Sequence, residues 1–359
     1  MIYTLTSISF FLLSIYLWRE RNPQKTRLVL VLAMVWLTLH DGLRWDIGTD
    51  WIHYYNCFVE NDNEHMGITY RFINSCFRTF TDSYTVFLLF YAGFTYFVIG
   101  KWLLRYSPNP LMSVCIYYCS MIGLMGSNRQ LLAMVLCVIS LPFIFERKLI
   151  RFLGVIMLAT TIHITAFSFI LAYFLYNYSY TNRKVLIFTG LSFLIGILHL
   201  VNKIPFVEYL ALLDSITNNT GTASYVTDDA LLPVSIIGNF KRLLYIYIAL
   251  YVRGIINRKE YDFFLLLYIV GSCIYMVFNG SVLQILAGRG ATYYAVYECI
   301  VISYAIINFP VKFFEKEILW LILFAVYFYL MWRDMNSYFV VDGTDIYNPY
   351  KCILFYTPR

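Results

Sequence analysis

Charge is what this chain has least of: 13% of its 359 residues are Asp, Glu, Lys or Arg against 60% hydrophobic, and mean hydropathy is +0.65. That scarcity excludes a soluble surface over most of the length and leaves a polytopic membrane protein. Cysteine is present but without pattern. Its eight residues are scattered, mostly inside apolar runs, with no C-x-x-C, so neither a disulfide framework nor a zinc site is indicated. Cys57, Cys76 and Cys352 are the ones placed where pairing is open to them. His53, His65 and the neighbouring acids fit no known ligand spacing, so no metal and no other cofactor is expected. The opening M-I-Y-T-L-T has no basic n-region, so no cleavable signal is expected and the first span is retained. An internal repeat is also lacking, which disfavours the inverted-repeat architecture of many transporters.

What the chain does have is apolar runs of helix length. Lipid offers backbone groups no hydrogen-bond partners, so these runs are predicted to be helices. Twelve are placed, near 2–18, 27–40, 83–103, 110–126, 129–145, 149–161, 163–178, 184–201, 234–252, 262–279, 290–309 and 317–332. The expected fold is thus an all-α integral membrane protein, one polytopic domain over residues 1–359. The sixth and seventh runs are short and read equally well as one long or broken helix. Lys and Arg set the orientation. Arg19, Arg21, Lys25 and Arg27 crowd the first loop, and alternate loops carry the same excess, sixteen bases against six acids. The net charge of +6, which in isolation suggests nucleic acid or an anionic surface, therefore encodes topology, and no nucleic-acid partner is expected. Both termini are placed outside.

The outer side holds the unusual chemistry. Asp41 to Phe58 sets three acids, Arg44 and His53 among aromatics at the end of an apolar run, where ionisable groups are expensive unless they face protein, water or a polar ligand. Within the outer loop 41–82, Met66, Tyr70, Ile73, Phe77 and Phe80 recur at helical spacing with Arg71, Asn74, Ser75 and Arg78 opposite, as in an interfacial amphipathic helix. Asn128, Arg129 and Gln130 open the fifth span, and His163 stands at the outer end of spans. Residues 202–233 form the longest outer loop, either a lid over a cavity or a tolerated surface loop. Lys241 and Arg242 lie about two turns into the ninth span, too deep for topological signals. Arg289 sits between glycines in the loop 288–298, Glu298 falls inside the eleventh span, and in the outer tail D-G-T-D-I-Y-N-P-Y at 342–350 reads as an ordered turn.

Arg44, Arg129, Lys241, Arg242 and Arg289 on the outer side run against the topological rule. Arginine forks with carboxylates, a histidine and many tyrosines suit an anionic phosphate joined to something polar, such as a lipid-linked pyrophosphate sugar. R-W-D-I-G-T-D-W-I-H-Y-Y from Arg44, N-R-Q-L-L-A from Asn128, H-I-T-A-F from His163, R-G-A-T-Y-Y from Arg289 and the terminal N-P-Y resemble the EpsG family of exopolysaccharide proteins, related to Wzy-type O-antigen polymerases. The resemblance implies a processive, inverting, metal-independent glycosyltransferase with a GT-C-like bundle of about 12 helices and an extracytoplasmic-facing cavity, in the bacterial inner membrane. It implies undecaprenyl-diphosphate-linked oligosaccharides as donor and acceptor, membrane lipid around the protein and a chain-length regulator protein as a partner. Arg44, Gly48, Asp50, Tyr54, Arg129, Gln130, His163 and Arg289 match the family's pattern. Lys241 and Arg242 join by charge, and Tyr293 lies in the R-G-A-T-Y-Y motif. Of the outer candidates for base, His163 has the suitable intrinsic pKa, about 6.5, with Asp50 as organiser. A transporter or flippase for lipid-linked glycans, and a non-enzymatic component of an assembly complex, are the rival readings.

Overall fold

Several helices begin at a side-chain cap. Asn22 accepts from the backbone N–H of Gln24 and Lys25 at 3.0 and 3.1 Å with Pro23 at the first helical position, and Asn109 does the same for Met112 with Pro110 following. The computed structural model describes residues 1–60, 66–203, 234–281, 283–337, 340–341 and 344–355. In chain order its helices are α1 (Ile2–Glu20), α2 (Pro23–Gly42), α3 (Trp51–Val59), α4 (Ile68–Arg78), α5 (Tyr84–Tyr106), α6 (Pro110–Met121), α7 (Asn128–Phe145) and α8 (Leu149–Ile162). They continue as α9 (Ala172–Leu175), α10 (Asn182–Ile197), α11 (Ile236–Ile256), α12 (Lys259–Phe278), α13 (Ala291–Ala295), α14 (Glu298–Asn308) and α15 (Phe313–Ser337). Among the described residues the strand pairing is a two-residue antiparallel pair of Val340–Val341 with Thr344–Asp345 and an isolated antiparallel bridge between Arg44 and Cys352.

All twelve apolar runs fall on helical backbone, the seventh as a 3-10 stretch, Ile164–Leu171, leading into α9. Among the described residues, five helices are individually long and apolar enough to cross a membrane, and six when Leu286–Ala295 and Glu298–Asn308, bent by 50°, count as one. Apolar stripes that no protein covers, such as Leu5, Ile8, Leu12 and Tyr16 on α1 or Phe90, Phe94 and Phe97 on α5, have the spacing of lipid-facing surfaces. The protein is a helical membrane protein.

The chain divides into two compact units, each taken by itself: Met1–Phe167 with Ile302–Arg359, and Ser168–Val301. In the first, α2 and α5 run antiparallel. Gly42 lies on Leu89, Gly93 on Thr38 and Gly100 on Met34, small residues where two backbones approach. α6 is buried from Pro110 to Cys119 and packs on α1 and α15. Ser14 of α1 accepts from Trp320 Nε1 at 2.9 Å, and its carbonyl accepts from Asn109 Nδ2 at 3.1 Å. In the second unit Gly196 of α10 meets the Met276 carbonyl of α12 so closely that a Cβ would lie 1.9 Å from it. Arg253 of α11 forks onto Asp262 of α12 at 2.8 and 3.3 Å and stacks 3.9 Å over Tyr180.

Two expectations change. α4 is amphipathic, but Asn74, expected on its polar face, is buried with Tyr70 one turn away, while Phe80 lies beyond the helix end and is exposed. The segment 288–298, read as a loop, is helical: a π turn, Leu286–Gly290, carries Arg289 and runs into α13. All eight cysteines, including Cys57, Cys76 and Cys352, are free thiols. The loop 202–233 lies outside the described residues from position 204 onward.

Candidate functional site

α2 stops at Gly42, and the chain that leaves it folds back on itself. Arg44 is 1% exposed; its Nη1 donates to the Asp41 carboxylate and, at 2.6 Å, to the Asp41 carbonyl, while Nη2 donates to Asn128 Oδ1 at 2.9 Å. Asn128 is held in turn. Its Nδ2 donates to the Tyr84 hydroxyl at 3.2 Å and its carbonyl accepts from the Tyr91 hydroxyl at 2.6 Å. The Arg44 loop is also stitched to the C-terminal tail: Trp45 N donates to Lys351 O, Ile353 N to Leu43 O and Gly48 N to Ile346 O, at 3.0 to 3.1 Å. Gly48, at φ +106°, lies against Gly126, at φ +98°, and a Cβ on Gly48 would come within 2.5 Å of the Met125 carbonyl. Only glycine fits that contact.

Arg129 follows directly on this anchored Asn128. Its backbone N–H and Nε both point at the Tyr54 hydroxyl, 3.4 and 3.3 Å away, and the guanidinium carbon is 5.9 Å from the centre of the Tyr54 ring. Burial pushes the Tyr54 phenol above its usual range, Asp50 adds to the rise, and Arg129 opposes it. The phenol is therefore protonated at neutral pH, accepting from Arg129 with a proton left to donate. Asp50 is half-buried at the start of α3, one helical turn before Tyr54, and does not use its side chain to cap that helix. Gln130 is buried in the first turn of α7.

His163 ends α8, half-buried and in extended backbone, with Nδ1 2.7 Å from the Thr165 hydroxyl. Two residues earlier, Thr161 shares a 2.7 Å hydrogen bond with Thr69 of α4, and its carbonyl abuts Gly67, where a Cβ would be 2.4 Å away. The segment 44–78 is thus the common piece. It meets Arg129 through Tyr54 and the His163 end of α8 through Gly67 and Thr69, with Tyr54 and Tyr70 rings 5.5 Å apart joining α3 to α4. Arg44, Asp50, Tyr54, Arg129, Gln130 and His163 all belong to the first unit.

The remaining candidates belong to the second unit. Lys241 on α11 pairs with Glu298 at 2.9 Å, both largely buried. Arg242 lies flat on Tyr275, 3.3 Å from the ring centre, and donates to the Gly238 carbonyl at 2.9 Å. Neighbouring Asn239 is buried and accepts from Asn279 at 3.3 Å. Arg289 is half-buried in its π turn, and Tyr293, one turn on, is fully buried. Lys241 and Arg242 thus diverge, one to a carboxylate and one to an aromatic face.

Four partners escape the sequence reading. Asp41 and Glu298 are the carboxylates that neutralise Arg44 and Lys241, Asn128 orients Arg44, and Tyr275 supports Arg242. Asp41 has a sequence signal, its place three residues before Arg44; the others are distant in the chain. Among the described residues no group of three His, Cys, Asp or Glu side chains is arranged to hold a metal. A model of the EpsG family matches residues 27–352, nearly the whole chain. No curated protein and no solved structure matches it.

Proposed function

The chain belongs to the EpsG family, and from that premise we propose that it is a polysaccharide polymerase of the Wzy type, a metal-independent inverting glycosyltransferase. In this reading it spans the bacterial inner membrane twelve times with both ends outside, in a GT-C-like bundle. It moves the growing glycan from its undecaprenyl diphosphate carrier onto a new lipid-linked repeat at the outer face. The family match along nearly the full length carries the reading.

The residues take roles that their surroundings support. Arg129, held by Tyr54 beside the anchored Asn128, binds the donor diphosphate as it leaves, with Gln130 next to it in the chain. Within the second unit Arg289, Lys241, Arg242 and Tyr293 are substrate-binding residues. Arg44, buried against Asp41 and Asn128, serves by fixing the loop that presents Asp50 and Tyr54. His163, whose Nδ1 lies 2.7 Å from the Thr165 hydroxyl, takes the proton of the acceptor hydroxyl. That oxygen bonds to the donor's anomeric carbon, the bond to the diphosphate breaks, and the electron pair leaves on the phosphate that Arg129 holds.

Three experiments test this. Deleting the gene is expected to leave single-repeat material where surface polysaccharide otherwise runs as a ladder, and an unchanged ladder refutes polymerisation. Purified His163→Ala is expected to bind lipid-linked repeat without extending it; extension within a few-fold of the unaltered protein assigns the base elsewhere. Arg129→Lys and Arg289→Lys are expected to fail nearly as badly as the alanine variants, because an ammonium lacks the bidentate fork.

A further inference from the structure

A slot of about 310 Å³ runs along the outside of the α2–α5 pair, lined by Leu30, Val31, Met34 and Val35 of one helix and by Gly93, Phe97 and Gly100 of the other, among others. It exists because α5 presents two glycines to α2 two turns apart. At Gly100 the space is taken up by Met34, 2.7 Å from where a Cβ would be, whereas at Gly93 the nearest atom, Thr38 Cγ2, is 3.6 Å away. The slot therefore stays open on the side that no protein covers, and Val31, Val35, Phe97 and Leu104 remain exposed along it. From Arg27 to Thr38 it extends about 16 Å, eleven residues of helix rise. Its walls are apolar, but one end is not. Arg27 and Lys101 both line the slot there, exposed, with the Lys101 ammonium 4.4 Å over the Phe97 ring. Neither is among the ion pairs of the described residues.

We propose that this slot is a binding site for an anionic glycerophospholipid, with an acyl chain between α2 and α5 and the headgroup phosphate held by Arg27 and Lys101. Charge complementarity selects the occupant: an apolar trough as long as an acyl chain, closed at one end by two cations, matches a single amphiphile with a negative head. Such a pair favours an anionic head over a zwitterionic one, whose own ammonium competes for the same phosphate oxygens. The inference rests on the membrane character of the chain and not on the polymerase reading, since the slot involves none of the residues given a part in transfer. Its role is to pin α2, whose C-terminal end carries Asp41 and leads into the Arg44 loop, against α5.

The full-length protein, delipidated in detergent, is titrated with dioleoylphosphatidylglycerol or dioleoylphosphatidylcholine, and bound lipid is counted by native mass spectrometry. The unaltered chain is expected to prefer the glycerol headgroup by roughly fivefold for each basic residue engaged. Arg27→Gln combined with Lys101→Gln, both surface substitutions, is expected to reduce that lipid to the level of phosphatidylcholine. Gly93→Leu and, from the other wall, Val31→Trp are expected to weaken both lipids by filling the slot. Equal binding of the two lipids by the unaltered chain overturns the proposal. So does a glutamine pair that keeps the preference, a filled slot that loses no lipid, or a dimer that the filling variants abolish, which would give the slot to a second copy.

Discussion

Arg44 illustrates what one residue can be asked to do in this protein. It is buried with Asp41, and breaking such a pair from one side strands an unneutralised charge away from water, a loss of about 3–5 kcal/mol. Arg44→Met is therefore expected to lower the melting temperature of the purified protein sharply. Arg44→Met with Asp41→Asn is expected to recover much of the loss, since the stranded carboxylate is gone. Equal melting of the single variant and the unaltered protein would show that the pair carries no stability. The sequence identified Arg44 as exceptional, because a guanidinium beside an apolar run is expensive wherever it sits. Its partners were harder to read. Asp41 is three residues away, but that becomes contact only because α2 ends at Gly42 and the chain turns back. Asn128 lies 84 positions downstream, and nothing local marks it as the acceptor for Nη2. The same limit hid Glu298 behind Lys241 and Tyr275 beneath Arg242.

At the scale of elements, helices were legible and their faces less so. Apolar runs gave the helix positions, since lipid allows the backbone almost no alternative. The segments between spans obey tertiary packing instead. In α4 the polar Asn74 turns inward beside Tyr70 because both lie on the stripe that meets the Trp51, Tyr54 and Phe58 cluster. The 288–298 stretch is helical although two glycines flank Arg289. The contact between Gly48 and Gly126 offers a test of how tightly the candidate site is framed. Gly48→Ala places a side chain at φ +106° and drives its Cβ toward the Met125 carbonyl. The backbone strain alone costs about 1–3 kcal/mol. Gly154 of α8 has nothing within 4 Å of an added Cβ, and Gly154→Ala is expected to be neutral or to stabilise by about 0.5–1 kcal/mol, as in any helix interior. Thermal melts of the two variants check the contrast. Similar melting temperatures would mean that the loops bearing Arg44 and Arg129 meet loosely. The strain should also cost glycan length, because Tyr54 and Arg129 stand on the two sides of that contact.

For the whole molecule the question is sidedness, and contacts within the first unit constrain it. Arg19, at the end of α1, forks onto Glu317, at the start of α15, at 2.6 and 2.5 Å. The opposite ends of the same two helices meet through the tail, where the Tyr3 hydroxyl donates to the Tyr347 carbonyl at 3.1 Å and that of Tyr350 to the His40 carbonyl. The beginning of α1 and the segment after α15 therefore share one side, whichever side that is. The cations Arg19, Arg27 and Lys101 gather at the other end of the unit, and an excess of Lys and Arg marks the cytoplasmic side. Reporter fusions after Arg27, Lys148 and Lys259 are accordingly expected to read cytoplasmic, and fusions after Ala223 and Arg359 to read external. A reversed pattern with both ends still on one side would overturn the charge argument and place Arg129 and His163 on the cytoplasmic face, where an external polymerase has no use for them. Ends on opposite sides would contradict the Tyr3–Tyr347 contact itself, because a helix pair clamped at both ends has no way to exchange one of them across the membrane.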